Sequence, residues 1–383
     1  MSEMGLSGTA RRRRGRSART GLAALLAVVV LGGCAAEASG TDDLLPVPAR
    51  DTSDGLVIAG ETIADRELYE AARDSSVSIF SGMGFETEDL TVRRFREETG
   101  IDAEFIRMPS NKLLERVLSE AGADRLSVDI VRTTDTKATD TLAEAGVLVP
   151  YRTPFDEELR ANGVVFDDGR YISSFYSLYA FAYNTRVVPP EEAPTEWADL
   201  LQPRYRNAIG TVQIGAGSYN MALSDLLVQT FGEDYLRRLG EQGPIVYDSV
   251  AVEMEALSRG EIAAATVGLN NGIALPRSGA PIKMVIPDSG ASAAYTPLAL
   301  TTRGADNPAA QVFMNWQMSR SGQEFAAAQG FVPARTSLGA QKAGEFDLPM
   351  PGDPGFLLMT QQDRAEREKD VRKLWREVFD YSG

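Results

Sequence analysis

Ser81-Gly82, Thr133-Thr134-Asp135, Gly215-Ala216-Gly217-Ser218-Tyr219, Asp248 and Asn270-Asn271 are the places where this chain gathers hydroxyls, carboxamides, carboxylates and glycines in short runs. Groups of this kind, together with the backbone N–H groups that glycines leave accessible, hold polar ligands by hydrogen bonding. The sequence contains no histidine and a single cysteine, Cys34. That removes a Ser-His-Asp triad, a Cys-His pair, a His-ligated zinc and every imidazole general base. No paired-carboxylate spacing, nucleophile elbow or metal cluster stands out, so no catalytic residue, metal ligand or cofactor is assigned. The run 215–219 lacks the third glycine of a dinucleotide fingerprint and the Lys-Ser/Thr of a Walker loop.

The elements that must position these residues alternate along the chain. The spacing predicts strands over 77–81, 103–107 and 127–131, separated by helices over 88–98 and 111–121 and followed by one over 136–145. Thr99-Gly100 and Gly146 are stop signals for the first and last of these helices. Strand and helix in turn, joined by short connections, form a parallel sheet with right-handed crossovers. Ligands bind at the carboxyl edge of such a sheet, where Ser81, Gly82, Thr133, Thr134 and Asp135 would lie. The middle of the chain repeats the pattern, with strands over 179–184, 208–214, 243–247 and 261–267. Gly217, Ser218, Tyr219, Asp248, Asn270 and Asn271 again follow strands, and Tyr176 and Tyr179 lie close enough in sequence to stack on a ligand. The expectation is two similar α/β lobes facing one another. Turn and capping chemistry accounts for each of these residues equally well; Asp135 and Asp248 in particular read as helix caps, the latter shared with Ser249.

The first 34 residues are of another kind. Arg11, Arg12, Arg13, Arg14, Arg16 and Arg19 precede an apolar stretch over 21–32, the pattern of a secretory signal. The stretch ends in Leu31-Gly32-Gly33-Cys34, which resembles a bacterial lipobox and makes Cys34 a lipidation site; Sec and twin-arginine export both stay open. Removing the leader changes the balance from 39 basic and 54 acidic residues to 33 and 53, a net charge of −20 against −15 for the whole chain. So acidic a body argues against nucleic acid as a partner, and it has no disulfide to lean on. Residues 35–60, rich in Ala, Ser, Asp, Gly and Pro, read as a flexible tether, with a helix beginning near Glu61.

Taken in order, ELYEAARDSSVSIFSG, FREETGIDAEFIR, SVDIVRTTDTKATDTLAEAGVLVPY, FAYNTRVV, PTEWADLLQPRYRNAIGT, ALSRGEIAAATVGL and NPAAQVFMNWQMSRSGQEFAAAQGFVPAR resemble an extracellular solute-binding protein of a bacterial ABC importer. The pattern is most similar to the ferric-iron class of the type 2 periplasmic-binding fold. The resemblance implies two α/β lobes joined by two crossover strands, about 61–178 plus 293–383 for one lobe and 180–290 for the other. The crossovers would be 179–184 and 294–301, and the lobes would close about a hinge on a small ligand. Ferric members hold the metal with adjacent tyrosines after the strand matching 262–267, where this chain has Asn270-Asn271. Many add a histidine after the first strand, near Gly84 here. Fe(III) is a hard cation for which carboxamides are poor ligands, so bare ferric ion is not the expected cargo.

The expected function is capture of a small polar, anionic or hydroxylated ligand by a monomeric receptor, lipid-anchored through Cys34 on the outer side of the membrane, for delivery to ABC permease subunits. The alternatives are a ferric or chelated-iron receptor with a non-standard site, a polyamine receptor drawing on Asp135 and Asp248, or an exported enzyme on the same fold.

Overall fold

The segment Ser-Val-Ser-Ile-Phe-Ser alternates small polar with large apolar residues and forms the strand Ser76–Ser81, with Val77, Ile79 and Phe80 buried. In the computed structural model, which describes residues 44–215 and 218–380, this strand sits inside a sheet of twelve strands that serves both lobes. In the first half, Asp102–Arg107, Ser76–Ser81 and Ile130–Arg132 run parallel in that spatial order. Ala291–Leu300 then pairs antiparallel to Ile130–Arg132. In the second half, Ile245–Tyr247, Ile209–Val212 and Ala264–Gly268 run parallel in the same relative order, and Tyr171–Asn184 pairs antiparallel to the last of them. Each half thus has the same winding, with the carboxyl ends of its three parallel strands along one edge.

Two long strands join the halves. Tyr171–Asn184 pairs with Ala291–Leu300 over residues 172–179 and with Ala264–Gly268 over residues 179–183. The first crossover therefore begins eight residues before the expected 179. Thirteen of its fourteen residues are buried, which erases the in-out alternation by which a strand announces itself. The α/β architecture with two lobes and two crossover strands is the one the sequence implies.

The helices expected over 88–98, 111–121 and 136–145, and those the same pattern places over 220–231 and 250–258, form within three residues of those bounds: Phe85–Thr99, Ser110–Gly122, Thr136–Glu144, Ser218–Phe231 and Val250–Arg259. Gly100 ends the first in the left-handed conformation, φ 76°, as its position after Thr99 requires. Their apolar stripes fill the two lobes. Phe95 meets Phe313 and Trp316 edge-on at 5.0 and 5.4 Å in one, and Phe181 meets Trp197 at 5.0 Å in the other.

Three expectations fail. The tether does not extend to 60: Arg50–Asp51, Leu56–Ile58 and Glu61–Ala64 form a three-stranded antiparallel sheet, because Leu56 and Ile58 point inward and are fully buried. Arg94 also holds the carbonyls of Leu45 and Pro46 at 2.7 and 2.6 Å. The helix expected from Glu61 starts only at Arg66, capped by Asp65, whose carboxylate accepts from the Leu68 N–H. Finally, the closing helix Gln361–Phe379, assigned with the first lobe, packs on Ser218–Phe231 and Glu233–Glu241 of the second, where Trp375 is buried with Ile214 and Met221. No helix among the described residues is long and apolar enough to cross a membrane. Cys34, Ala216 and Gly217 lie outside the described residues.

Candidate functional site

At the carboxyl edge of the first-lobe sheet, the Ser81 hydroxyl donates to Glu88 Oε2 at 2.6 Å and accepts from the Met83 N–H. Glu88 and Arg132 are both buried and form an ion pair at 3.4 Å. Arg132 Nη2 donates to Gln317 Oε1 at 2.7 Å, fastening the strand end to the helix Pro308–Met318. Burial lowers the proton affinity of the Arg132 guanidinium, and the charge of Glu88 opposes that shift. Gly82 has no room for a side chain: a Cβ there would lie 2.7 Å from Ser110 Oγ. That hydroxyl meets Thr134 Oγ1 at 3.0 Å and accepts from the Thr134 N–H. Thr133, fully buried, shares a 2.6 Å hydrogen bond with Thr139. Asp135 caps Thr136–Glu144 by accepting from the Lys137 N–H. Ser81, Thr133, Thr134 and Asp135 are thus brought together, and each is engaged within the protein.

The second-lobe edge is built differently. Tyr219, in the first turn of Ser218–Phe231, is buried and stacks on Tyr179 with ring centroids 4.8 Å apart. Its hydroxyl is buried without a hydrogen-bond partner. Tyr179 is pushed up to about 12 by burial, which a hydrogen bond with Ser177 only partly offsets. Tyr219 is raised well above the ordinary tyrosine value by burial, then by the charges of Glu253 and Tyr179. Tyr176 is buried against Phe356 and Tyr295 in the hinge.

Asn270 and Asn271 are not in a turn: they occupy the first turn of a helix, Leu269–Arg277, that the Asn-Asn-Gly run and Pro276 concealed. Both are half-buried, and their only hydrogen bond to each other is long, at 3.5 Å. A Cβ on Gly268 would lie 2.7 Å from Asn270 Oδ1 and 3.3 Å from the Tyr179 ring, so these two side chains flank one backbone position. Asp248 is exposed and leaves the capping of Val250–Arg259 to Ser249. Ser218, expected in the loop before a helix starting at Asn220, is instead the first residue of that helix.

The helix Gln361–Phe379 spans both edges. Arg364 pairs with Asp135 at 2.9 Å and donates to Thr136 Oγ1 at 3.1 Å. One turn on, Arg367 grips both oxygens of Asp225 on Ser218–Phe231 at 2.8 Å each. Between these contacts lies a cavity of about 20 Å³ bounded by Thr136, Met221, Ala222, Tyr295 and Gln361, with room for water and little more. Sequence reasoning passed over Arg132, at the end of a strand, and over Glu253, Arg364 and Arg367, because a charge in a helical run ordinarily marks a solvated face.

Residues 127–354 match the family model described as bacterial extracellular solute-binding protein. A protein of Haemophilus influenzae described as uncharacterized is 30% identical over 310 residues, 75% of this chain and 86% of that protein. Iron-bound HitA from Pseudomonas aeruginosa superposes with a TM-score of 0.61 at 19% identity over 79% of this chain and 99% of its own. AfuA from Actinobacillus pleuropneumoniae, with fructose-6-phosphate bound, gives 0.61 at 17% identity over 81% and 100%. Two lobes wound alike, their strand ends along one edge, and a family match over more than half its length lead to one conclusion: the chain belongs to the bacterial extracellular solute-binding proteins.

Proposed function

We propose that this protein is the receptor of an ABC importer, anchored outside the membrane by lipid on Cys34, and that it closes its lobes on a small hydroxylated or anionic solute. The observation that carries the ligand class is the set of helix starts at the sheet edge. The start of Thr136–Glu144 is already taken by the Asp135 carboxylate, whereas Ser218–Phe231 and Leu269–Arg277 each begin at that edge with no acidic residue in the first turn. Their N–H groups and dipoles favour oxygen ligands carrying negative charge or lone pairs, while Asn270 and Asn271 offer both donors and acceptors. HitA was solved with iron and AfuA with fructose-6-phosphate, so the fold accepts cargoes of very different chemistry. Ferric ion would call for phenolates, and burial makes Tyr179 and Tyr219 costly to ionise. A polyamine would call for ionised carboxylates; Asp135 is already paired with Arg364, and burial raises the proton affinity of Glu253.

A thermal-shift screen over phosphorylated, carboxylated, sugar and polyamine solutes tests the ligand class. A solute at 100 times its Kd should add about 2.7 kcal/mol of stability and reduce the radius of gyration in small-angle scattering. Stabilisation by polyamines or ferric ion alone would sink the reading. Cys34→Ser should release the protein from membranes, and undiminished retention would defeat the anchor.

A further inference from the structure

Glu253 is the least expected side chain in the second lobe. It sits in the first turn of Val250–Arg259, is fully buried, and neither carboxyl oxygen has a hydrogen-bond partner. Leaving both oxygens of a buried carboxyl unpaired costs more than most folds tolerate without a further role. Its Cγ lies 3.2 Å from where Gly210 would carry a Cβ, over the strand Ile209–Val212, and side chains in a helix lean toward its N-terminus. That direction is the carboxyl edge of the sheet. Tyr219, whose hydroxyl is likewise buried and unpartnered, sits in the first turn of its helix at the same edge. Tyr219 stacks on the Tyr179 ring, and that ring and Asn270 Oδ1 flank the same backbone position, Gly268.

We infer that Glu253 and Tyr219 are specificity-determining residues, the base of a second-lobe wall completed by Asn270, and that they take a hydroxyl group of the solute. The inference rests on the receptor reading above and narrows its ligand class to polyols, sugars and their phosphates. A neutral carboxyl and a phenol each donate one hydrogen bond and accept others; an alcohol can answer both functions, whereas a bare phosphate oxygen only accepts and an ammonium group only donates. A site built this way rejects an analogue lacking the hydroxyl, since its own polar groups are then left unpaired.

The test uses the full exported chain and titrates sorbitol, glycerol 3-phosphate and a hexose phosphate as hydroxylated probes, with inorganic phosphate, succinate and spermidine as probes without an alcohol. Wild type should bind at least one hydroxylated probe. Glu253→Leu should weaken that binding at least tenfold while the ligand-free melting temperature stays level or rises; Tyr219→Phe should weaken it about tenfold, and Glu253→Gln, which keeps a donor and an acceptor, should cost less than either. Should the Leu variant fail to fold, Tyr219→Phe and Glu253→Gln decide. Unchanged affinity in Tyr219→Phe and the Glu253 variants, or a wild type that binds none of the hydroxylated probes, overturns the inference. If the protein closes in small-angle scattering on a probe without an alcohol, the receptor reading survives while this one fails.

Discussion

At the first-lobe edge the Ser81 hydroxyl is spent on Glu88, Thr133 on Thr139, Thr134 on Ser110 and the Asp135 carboxylate on Lys137 N–H and Arg364. At the corresponding edge of the second lobe the Tyr219 hydroxyl and both Glu253 oxygens have no partner, and Asn270 and Asn271 barely engage each other. The same winding of strand and helix therefore produces one edge where unpartnered atoms, Glu88 Oε1 and Arg132 Nε, belong to an ion pair that braces the fold, and another where the Tyr219 hydroxyl and a whole carboxyl group, that of Glu253, have no hydrogen bond. A buried polar group that is paired contributes modestly to stability, whereas one left unpaired costs free energy until something meets it. The brace lies in the first lobe, and the proposed selectivity in the second.

The harshest way to break this contrast is Arg132→Ala, which strands Glu88 in the first-lobe core and should cost about 3–5 kcal/mol in a denaturant melt; a loss under 1 kcal/mol would mean that this edge is not braced as described. Next in size is Asp225→Ala. It frees Arg367, and since that guanidinium is about a third exposed the expected loss is about 1–2 kcal/mol, diminishing in high salt. Asp135→Ala removes a helix cap and the hold of Arg364 on the first lobe, for about 1 kcal/mol. Ligand-free scattering should then show a more open particle, and an unchanged radius of gyration would deny the closing helix any part in holding the lobes together.

The smallest effect has the opposite sign. Burial raises the proton affinity of Glu253, so above the ordinary glutamate range the folded chain keeps a proton that the unfolded chain has released. Stability therefore falls as pH rises through that window. Glu253→Gln should flatten the slope and gain on wild type toward neutral pH; parallel pH profiles for the two proteins would show that Glu253 is not held neutral.

Much of the edge could be read from the chain. Asp135 as a cap, Gly100 as a helix stop and the polar runs after strands all follow from local rules whose determinants lie within a few residues. Asn270-Asn271 were found as site candidates but set in the wrong element, because Asn, Gly and Pro are turn signals and only packing against the rest of the lobe keeps Leu269–Arg277 helical. Arg132 ends an otherwise apolar strand, and that oddity was the available clue to it. Arg364 and Arg367 offered none, for they sit in a helix crowded with charges of both signs.

By itself, the sequence determined the alternation of strand and helix, the doubling of that pattern into two lobes, and the absence of every mechanism that needs an imidazole, because composition and short-range periodicity carry that information directly. Only the tertiary structure decided which polar groups are already satisfied, that the closing helix reaches from one lobe to the other, and that a carboxyl and a phenol lie unpaired at the second-lobe edge. Those facts depend on partners drawn from distant parts of the chain, as Arg367 is 142 residues from Asp225, and no local pattern encodes a meeting at that separation.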